Sequence, residues 1–167
     1  MESIINQKLP KRYYIYGETG TGKSLFTRII SKKLNQPIYK KSCSGYWNGY
    51  KGEGIVVIDD LTREDWTYIK FNLKKWLDYD TFMSSPLRDR MTKEELKEGE
   101  MIDPSKYILI ITSYKSLEAF LNEERINGGE KALNERDMSK IKRLLEVHEL
   151  THTDLKEIED DINKILE

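Results

Sequence analysis

The 167-residue sequence predicts an α/β fold in which a mostly parallel central sheet is covered by helices on both faces. Three observations carry this expectation. The uninterrupted aliphatic runs Ile55-Val56-Val57-Ile58 and Ile108-Leu109-Ile110-Ile111 suit strands buried on both faces. Amphipathic helical segments alternate with such strands, the order in which crossovers build a parallel sheet. Between the first strand and the first helix lies Gly17-Glu18-Thr19-Gly20-Thr21-Gly22-Lys23-Ser24, a glycine loop of the form G-x-x-x-x-G-K-S.

Taken in order, Arg12 to Tyr16 reads as the first strand, and Ser24 to Leu34 as a helix with Leu25, Ile29 and Ile30 at helical spacing. Pro37 stops that helix, and Ile38-Tyr39-Lys40 forms a short second strand. A glycine- and aromatic-rich stretch, Ser44 to Gly54, leads into the strand Ile55 to Asp60. Thr62 and Asp65 resemble a capping pair, and Trp66, Ile69, Leu73, Trp76 and Leu77 trace one helix face. From Tyr79 to Ser105 the pattern is short and polar, with a helical turn after Thr92. Lys106 to Ser113 is the next buried strand, followed by a helix from Ser116 and a loop at Gly128-Gly129. A helix over Asp137 to Leu145, a strand over Glu146 to Leu150, and a final helix striped by Leu155, Ile158, Ile162 and Ile165 complete the chain.

The glycine loop points to a nucleoside triphosphate. Glycines let successive backbone N–H groups turn inward, and the following helix adds its positive end. Lys23 offers a full charge to the terminal phosphates, and the Ser24 hydroxyl is a hard oxygen ligand for Mg²⁺. The cofactor-binding segment is therefore Gly17, Glu18, Thr19, Gly20, Thr21, Gly22, Lys23, Ser24 and Leu25, with ATP and Mg²⁺ as the expected cofactors. Asp59 and Asp60 close a buried strand whose end should collect beside that loop. Asp59 is assigned to Mg²⁺ through water, and Asp60 to the attacking water. Neighbouring residues on a regular strand face opposite ways, so the two share a side only where the strand has ended.

Composition narrows the classes. Basic and acidic residues number 28 and 29, so the net charge of -1 gives no global pull toward nucleic acid. One cysteine, Cys43, precludes an internal disulfide and fits a reducing compartment. No apolar run approaches membrane-spanning length, and the polar start is not a signal peptide. The expectation is an intracellular location: the host nucleus for a eukaryotic virus, the cytoplasm for a bacterial source. The division expected is an extension over residues 1–10, an ATPase core over 11–150, and a C-terminal amphipathic helix over 151–167 packed on the core.

The succession of the glycine loop, Tyr46-Trp47-Asn48-Gly49-Tyr50-Lys51-Gly52-Glu53, Ile55 to Asp60 and Ile110-Ile111-Thr112-Ser113 is similar to superfamily-3 helicases. Within that group it resembles the ATPase domain of the replication initiator (Rep) of small circular single-stranded-DNA viruses and related plasmids, over roughly residues 11–150. The resemblance implies a P-loop NTPase core of AAA+ type, ATP hydrolysis with Mg²⁺, a ring-shaped homo-oligomer such as a hexamer, and movement along single-stranded DNA, with RNA left open. It also implies a polar sensor after the third strand, where this chain has Tyr114 in place of asparagine; either Tyr114 or Thr112 and Ser113 take that role. The family's late basic pair aligns with Lys142-Arg143 and makes Arg143 the candidate arginine finger, against a solvated helix arginine. A nicking endonuclease domain normally precedes this unit. Its His-hydrophobe-His cluster cannot be built from His148 and His152, so a lone motor domain is expected, its endonuclease separate or lost.

In related helicases a basic hairpin before the sensor strand grips phosphates. Here Arg88, Arg90, Lys93 and Lys97 fall in that region among Glu94, Glu95, Glu98 and Glu100. Lys40, Lys41 and Lys51 around Tyr46, Trp47 and Tyr50 could stack bases, although Trp47 suits packing at the sheet edge better. Two other functions remain compatible with the residues: a P-loop kinase for a small molecule, and an ATP-binding oligomeric scaffold with weak catalysis.

Overall fold

Five strands lie in one sheet in the order Ile38–Lys40, Ile55–Ile58, Ile108–Ser113, Arg12–Tyr16, Glu146–Glu149, every neighbouring pair parallel. The computed structural model describes residues 8–84 and 100–167. Along the chain run β1 (Arg12–Tyr16), α1 (Lys23–Leu34), β2 (Ile38–Lys40), β3 (Ile55–Ile58), α2 (Arg63–Leu77), β4 (Phe82–Met83), β5 (Met101–Ile102), β6 (Ile108–Ser113), α3 (Leu117–Asn127), α4 (Glu135–Leu144), β7 (Glu146–Glu149) and α5 (Leu155–Leu166). This is the predicted α/β architecture, a mostly parallel sheet with helices on both sides.

Alternation along the strands divides the core in two. Tyr14, Val56, Ile58, Leu109 and Ile111 pack with residues of α2, α3 and α4, including Trp66, Leu73, Phe120 and Ile141. Tyr13, Ile15, Ile55, Val57 and Ile110 pack on the other side with Phe26 and Ile30 of α1 and Ile158 and Ile162 of α5. Both sides of β3 are fully buried, which is why its run contains no polar residue.

The caps set where the helices begin. Thr62 and Asp65 form a reciprocal capping box at α2, and Ser116, Asn134 and Asp154 cap α3, α4 and α5. Because Asn134 takes the cap, α4 begins at Glu135, two residues before the sequence pattern suggested. β3 stops at Ile58 rather than reaching Asp60. The antiparallel pair β4 and β5 lies inside the stretch read as patternless; two-residue strands carry no alternation to detect. The helical turn expected after Thr92, and Arg88, Arg90, Lys93 and Lys97, lie outside the described residues, as does most of the extension before Pro10.

Buried charges tie distant elements together at two places. Arg12, at the start of β1, donates to the carbonyls of Leu77, Tyr107 and Pro104 and lies against the rings of Tyr79 and Tyr107. Lys70 of α2 meets Glu124 of α3 at 2.6 Å, and Glu124 also accepts from the Trp66 indole and the Leu133 amide. Burial pushes the Glu124 carboxyl up, but these donors outweigh it and hold the group below the ordinary carboxylate range.

Candidate nucleotide-binding site

β1 delivers the chain to the carboxyl edge of the sheet, and the glycine loop grows directly from it. The Gly17 amide donates to the Ser113 carbonyl at 3.1 Å, and the Leu150 amide donates to the Tyr16 carbonyl at 2.8 Å. The base of the loop is thus fixed from β6 on one side and from the end of β7 on the other. A Cβ at Gly17 would lie 2.3 Å from the Leu150 carbonyl oxygen, so no larger residue fits. Gly22 has φ +94° and its Cβ would lie 2.2 Å from Ile158 Cγ2, so α5 backs the loop where α1 begins. Within the loop, the Thr21 hydroxyl donates to the Glu18 carbonyl at 2.7 Å.

α1 starts without a side-chain cap and without an acidic residue in its first turn. The first intrahelical bond is from the Phe26 amide to the Gly22 carbonyl. Helix geometry therefore leaves the amides of Lys23, Ser24 and Leu25 without intrahelical partners, at the positive end of the helix. Lys23 Nζ folds back over this opening and donates to the Gly17 and Glu18 carbonyls at 2.6 and 2.8 Å. Ser24 is exposed.

The acid pair sits two strands away, with β6 between. Asp59 and Asp60 follow the last residue of β3, both are exposed, and Asp60 turns the chain at φ +51°. The strand has ended, so alternation does not force the carboxylates apart. Thr112, fully buried on β6, joins them: its hydroxyl donates to Asp59 Oδ1 at 2.7 Å and accepts from the Asp60 amide at 2.9 Å. The next residue extends the stitching, since the Ser113 hydroxyl donates to the Leu61 carbonyl at 2.7 Å. Thr112 and Ser113 thus touch the acids on one side and the glycine loop on the other. Two inter-strand steps make a gap of about 10 Å between β1 and β3, room for a phosphate chain with a hydrated cation.

Other predicted residues lie elsewhere. Tyr114 is 62% exposed, its phenol makes no hydrogen bond among the described residues, and the contact to Asp59 belongs to Thr112. Arg143 is exposed in the last turn of α4, just before β7 begins. It therefore stands at the amino edge of the sheet, a strand length (on the order of 15 Å) from its own glycine loop. Trp47 is only 3% exposed and lies parallel to Tyr39, with Trp76 and Phe82 edge-on, so its ring packs and offers no free face to a base. Its indole N–H has no hydrogen-bond partner among the described residues. Lys41 is buried as well, 4.5 Å from the centre of the Trp76 ring, and burial lowers its pKa to about 8. Lys40 and Lys51 remain exposed.

A nucleoside triphosphate with Mg²⁺ suits this edge: open amides, no space for a side chain at Gly17 and Gly22, a lysine over the loop, and hard oxygens at Ser24 and Asp59. Among the described residues, no three His, Cys, Asp or Glu side chains gather to hold a metal by themselves, so a cation there would draw on the phosphates too.

Comparison with known proteins decides the family. The family model described as RNA helicase matches residues 13–114, more than half of the chain. The chain belongs to the RNA helicase family. The matched stretch of this RNA helicase domain runs from β1 through the loop, the acid pair and β6, and supports a superfamily-3 helicase. The domain is also similar to the genome polyprotein of Avian encephalomyelitis virus (strain Van Reokel), 39% identical over an alignment of 77 residues that covers 38% of this chain and 4% of the polyprotein. It is similar to the genome polyprotein of Human hepatitis A virus genotype IIA (isolate CF-53), 33% identical over an alignment of 79 residues that covers 40% of this chain and 4% of the polyprotein. The aligned segment thus spans a small fraction of the length of the curated relatives it matches. These matches support the superfamily-3 likeness but do not extend to the replication initiators. Among the described residues, no helix is long and apolar enough to cross a membrane.

Proposed function

We propose that this domain hydrolyses ATP to drive a superfamily-3-type motor along single-stranded nucleic acid. The observation that carries the reading is the pairing of an uncapped, acid-free helix start with a strand-end acid pair, with Thr112 bonded to the acids and Ser113 to Gly17 at the base of the loop. The amides from Gly20 to Leu25 cradle the phosphates, and Lys23 leaves the loop carbonyls to meet the terminal ones. Ser24 and Asp59 hold Mg²⁺, which supplies charge neutralisation for the transferred phosphoryl group. Asp60 orients the attacking water, and Thr112 fixes the orientation of Asp59.

Tyr114 keeps a candidate sensor role only if closure on nucleotide brings its exposed ring inward; Thr112 already occupies that position. Arg143 cannot serve its own loop from the opposite edge of the sheet, and we assign it as a finger to the nucleotide of a neighbouring subunit in a ring. The name of the matched family favours RNA as the strand, over the single-stranded DNA implied by the likeness to replication initiators. The core is taken as residues 11–150, with α5 completing it by backing Gly22.

Phosphate release as a function of protein concentration, alone and with single-stranded RNA or DNA, tests the proposal. A steep rise with concentration and stimulation by RNA above DNA are expected. Turnover that is linear in protein and requires a small-molecule acceptor would replace the motor with a kinase. Tight ATP binding without release under all conditions would leave a scaffold.

A further inference from the structure

At the opposite end of the molecule from the glycine loop, α2 and α4 run side by side and leave between them an open groove of about 840 Å³. Five cations line it, Lys74, Lys75, Arg136, Lys140 and Arg143, against the carboxylates of Asp78 and Asp137. Both carboxylates are already engaged. Lys140 Nζ lies 2.6 Å from Asp78, and Lys74 Nζ lies 3.4 Å from Asp137. Lys75, Arg136 and Arg143 are exposed and make no ion pair among the described residues. In a chain of net charge -1, that is a local surplus of positive charge with no internal use.

Helix physics accounts for only part of it. Lys74 and Lys75 end α2 and Arg143 ends α4, where cations are favoured by the helix dipole. Arg136 lies in the first turn of α4, where the dipole opposes a positive charge. Arg136, Lys140 and Arg143 follow one another at i, i+4 and i+7, so they form a single row about 10 Å long. A nucleic-acid strand presents two or three phosphates over that length. No aromatic residue lines the groove, so it is suited to the backbone and not to stacked bases.

We propose that the α2–α4 groove is a phosphate-backbone track for single-stranded nucleic acid, gripping the strand without reading its sequence. The proposal rests on the motor reading above for its ligand class; it places the strand at the edge of the sheet opposite the subunit's own glycine loop, and Arg143 serves the track only where it is not engaged with a neighbour's nucleotide. Lys75 and Arg136 are its diagnostic members, because neither belongs to the nucleotide site and neither is needed for an internal contact.

The test is fluorescence anisotropy of a labelled oligouridylate of about 15 nucleotides, titrated at several salt concentrations with the whole chain. The Lys75→Gln/Arg136→Gln variant should bind roughly tenfold more weakly at low salt. Its slope of log affinity against log salt should be shallower by about 1.4, the loss of two single-strand phosphate contacts. A control, Lys32→Gln/Lys156→Gln, removes the same charge from exposed positions on the α1 and α5 side and should change the slope much less. Equal effects of the two variants, or no salt-dependent binding by the unaltered chain, would overturn the groove. So would unchanged RNA binding with an altered sedimentation coefficient, which would make the groove a seat for an acidic protein surface. Basal ATP turnover measured on the same samples keeps the two proposals separable, since its absence from the unaltered chain is a failure of the motor reading and not of the groove.

Discussion

The carboxyl edge of the sheet and the α2–α3 interface treat polar groups in opposite ways. At the α2–α3 interface every charge is answered: Glu124 accepts from Lys70, Trp66 and Leu133, and both helices begin with side-chain caps. At the sheet edge, α1 is the one α-helix among the described residues that lacks a side-chain cap, and two adjacent carboxylates stand exposed across β6 from the loop that precedes it. The first arrangement holds the fold together. The second keeps bonding capacity in reserve, which is what a ligand site requires. The contrast separates residues that serve stability from those that serve chemistry without reference to any relative.

The largest effect that would break this contrast concerns the interface. Glu124→Ala leaves the Lys70 ammonium buried without its partner and should cost about 3–5 kcal/mol of unfolding free energy, read by urea denaturation. A loss below about 1 kcal/mol would mean that the pair behaves as a surface contact. At Lys41 the sign follows from linkage. Its pKa is lowered from 10.5 to about 8 by burial, so between those values the unfolded chain binds more protons and stability rises with pH. Below pH 8 the cost is fully present. The difference in unfolding free energy between the unaltered chain and Lys41→Met should therefore move by about 3 kcal/mol in favour of lysine from pH 7.5 to 10.5. Parallel pH profiles would contradict this. A smaller effect sharpens the edge: Thr112→Val removes the hydroxyl from Asp59 and should lower turnover roughly tenfold while nucleotide affinity stays unchanged. An affinity loss of the same size would give Thr112 a binding role instead.

Much of the site could be read from the sequence because its constraints are local. Gly17 and Gly22 stand where side chains do not fit, the aliphatic run of β3 names a doubly buried strand, and Thr62 with Asp65 announces α2. What the sequence concealed depends on contacts between distant segments. Thr112 reaches Asp59 because β6 is inserted between β1 and β3, a pairing order that no spacing encodes. In the sequence Lys41 belongs to a basic and aromatic patch suited to stacking bases, yet the fold closes Trp47 and Trp76 over it. The α2–α4 groove joins residues some 60 positions apart, and the ion pairs at its rim mark the register of two parallel helices.

Single-turnover release of γ-phosphate, with bound nucleotide quantified in the same samples, tests the central claim most directly. Lys23→Ala should lose both binding and release. Asp60→Asn should keep the nucleotide while release falls by about 10²–10³-fold. If both variants released phosphate at the unaltered rate, the glycine loop and the strand-end acids would not be acting on the same triphosphate.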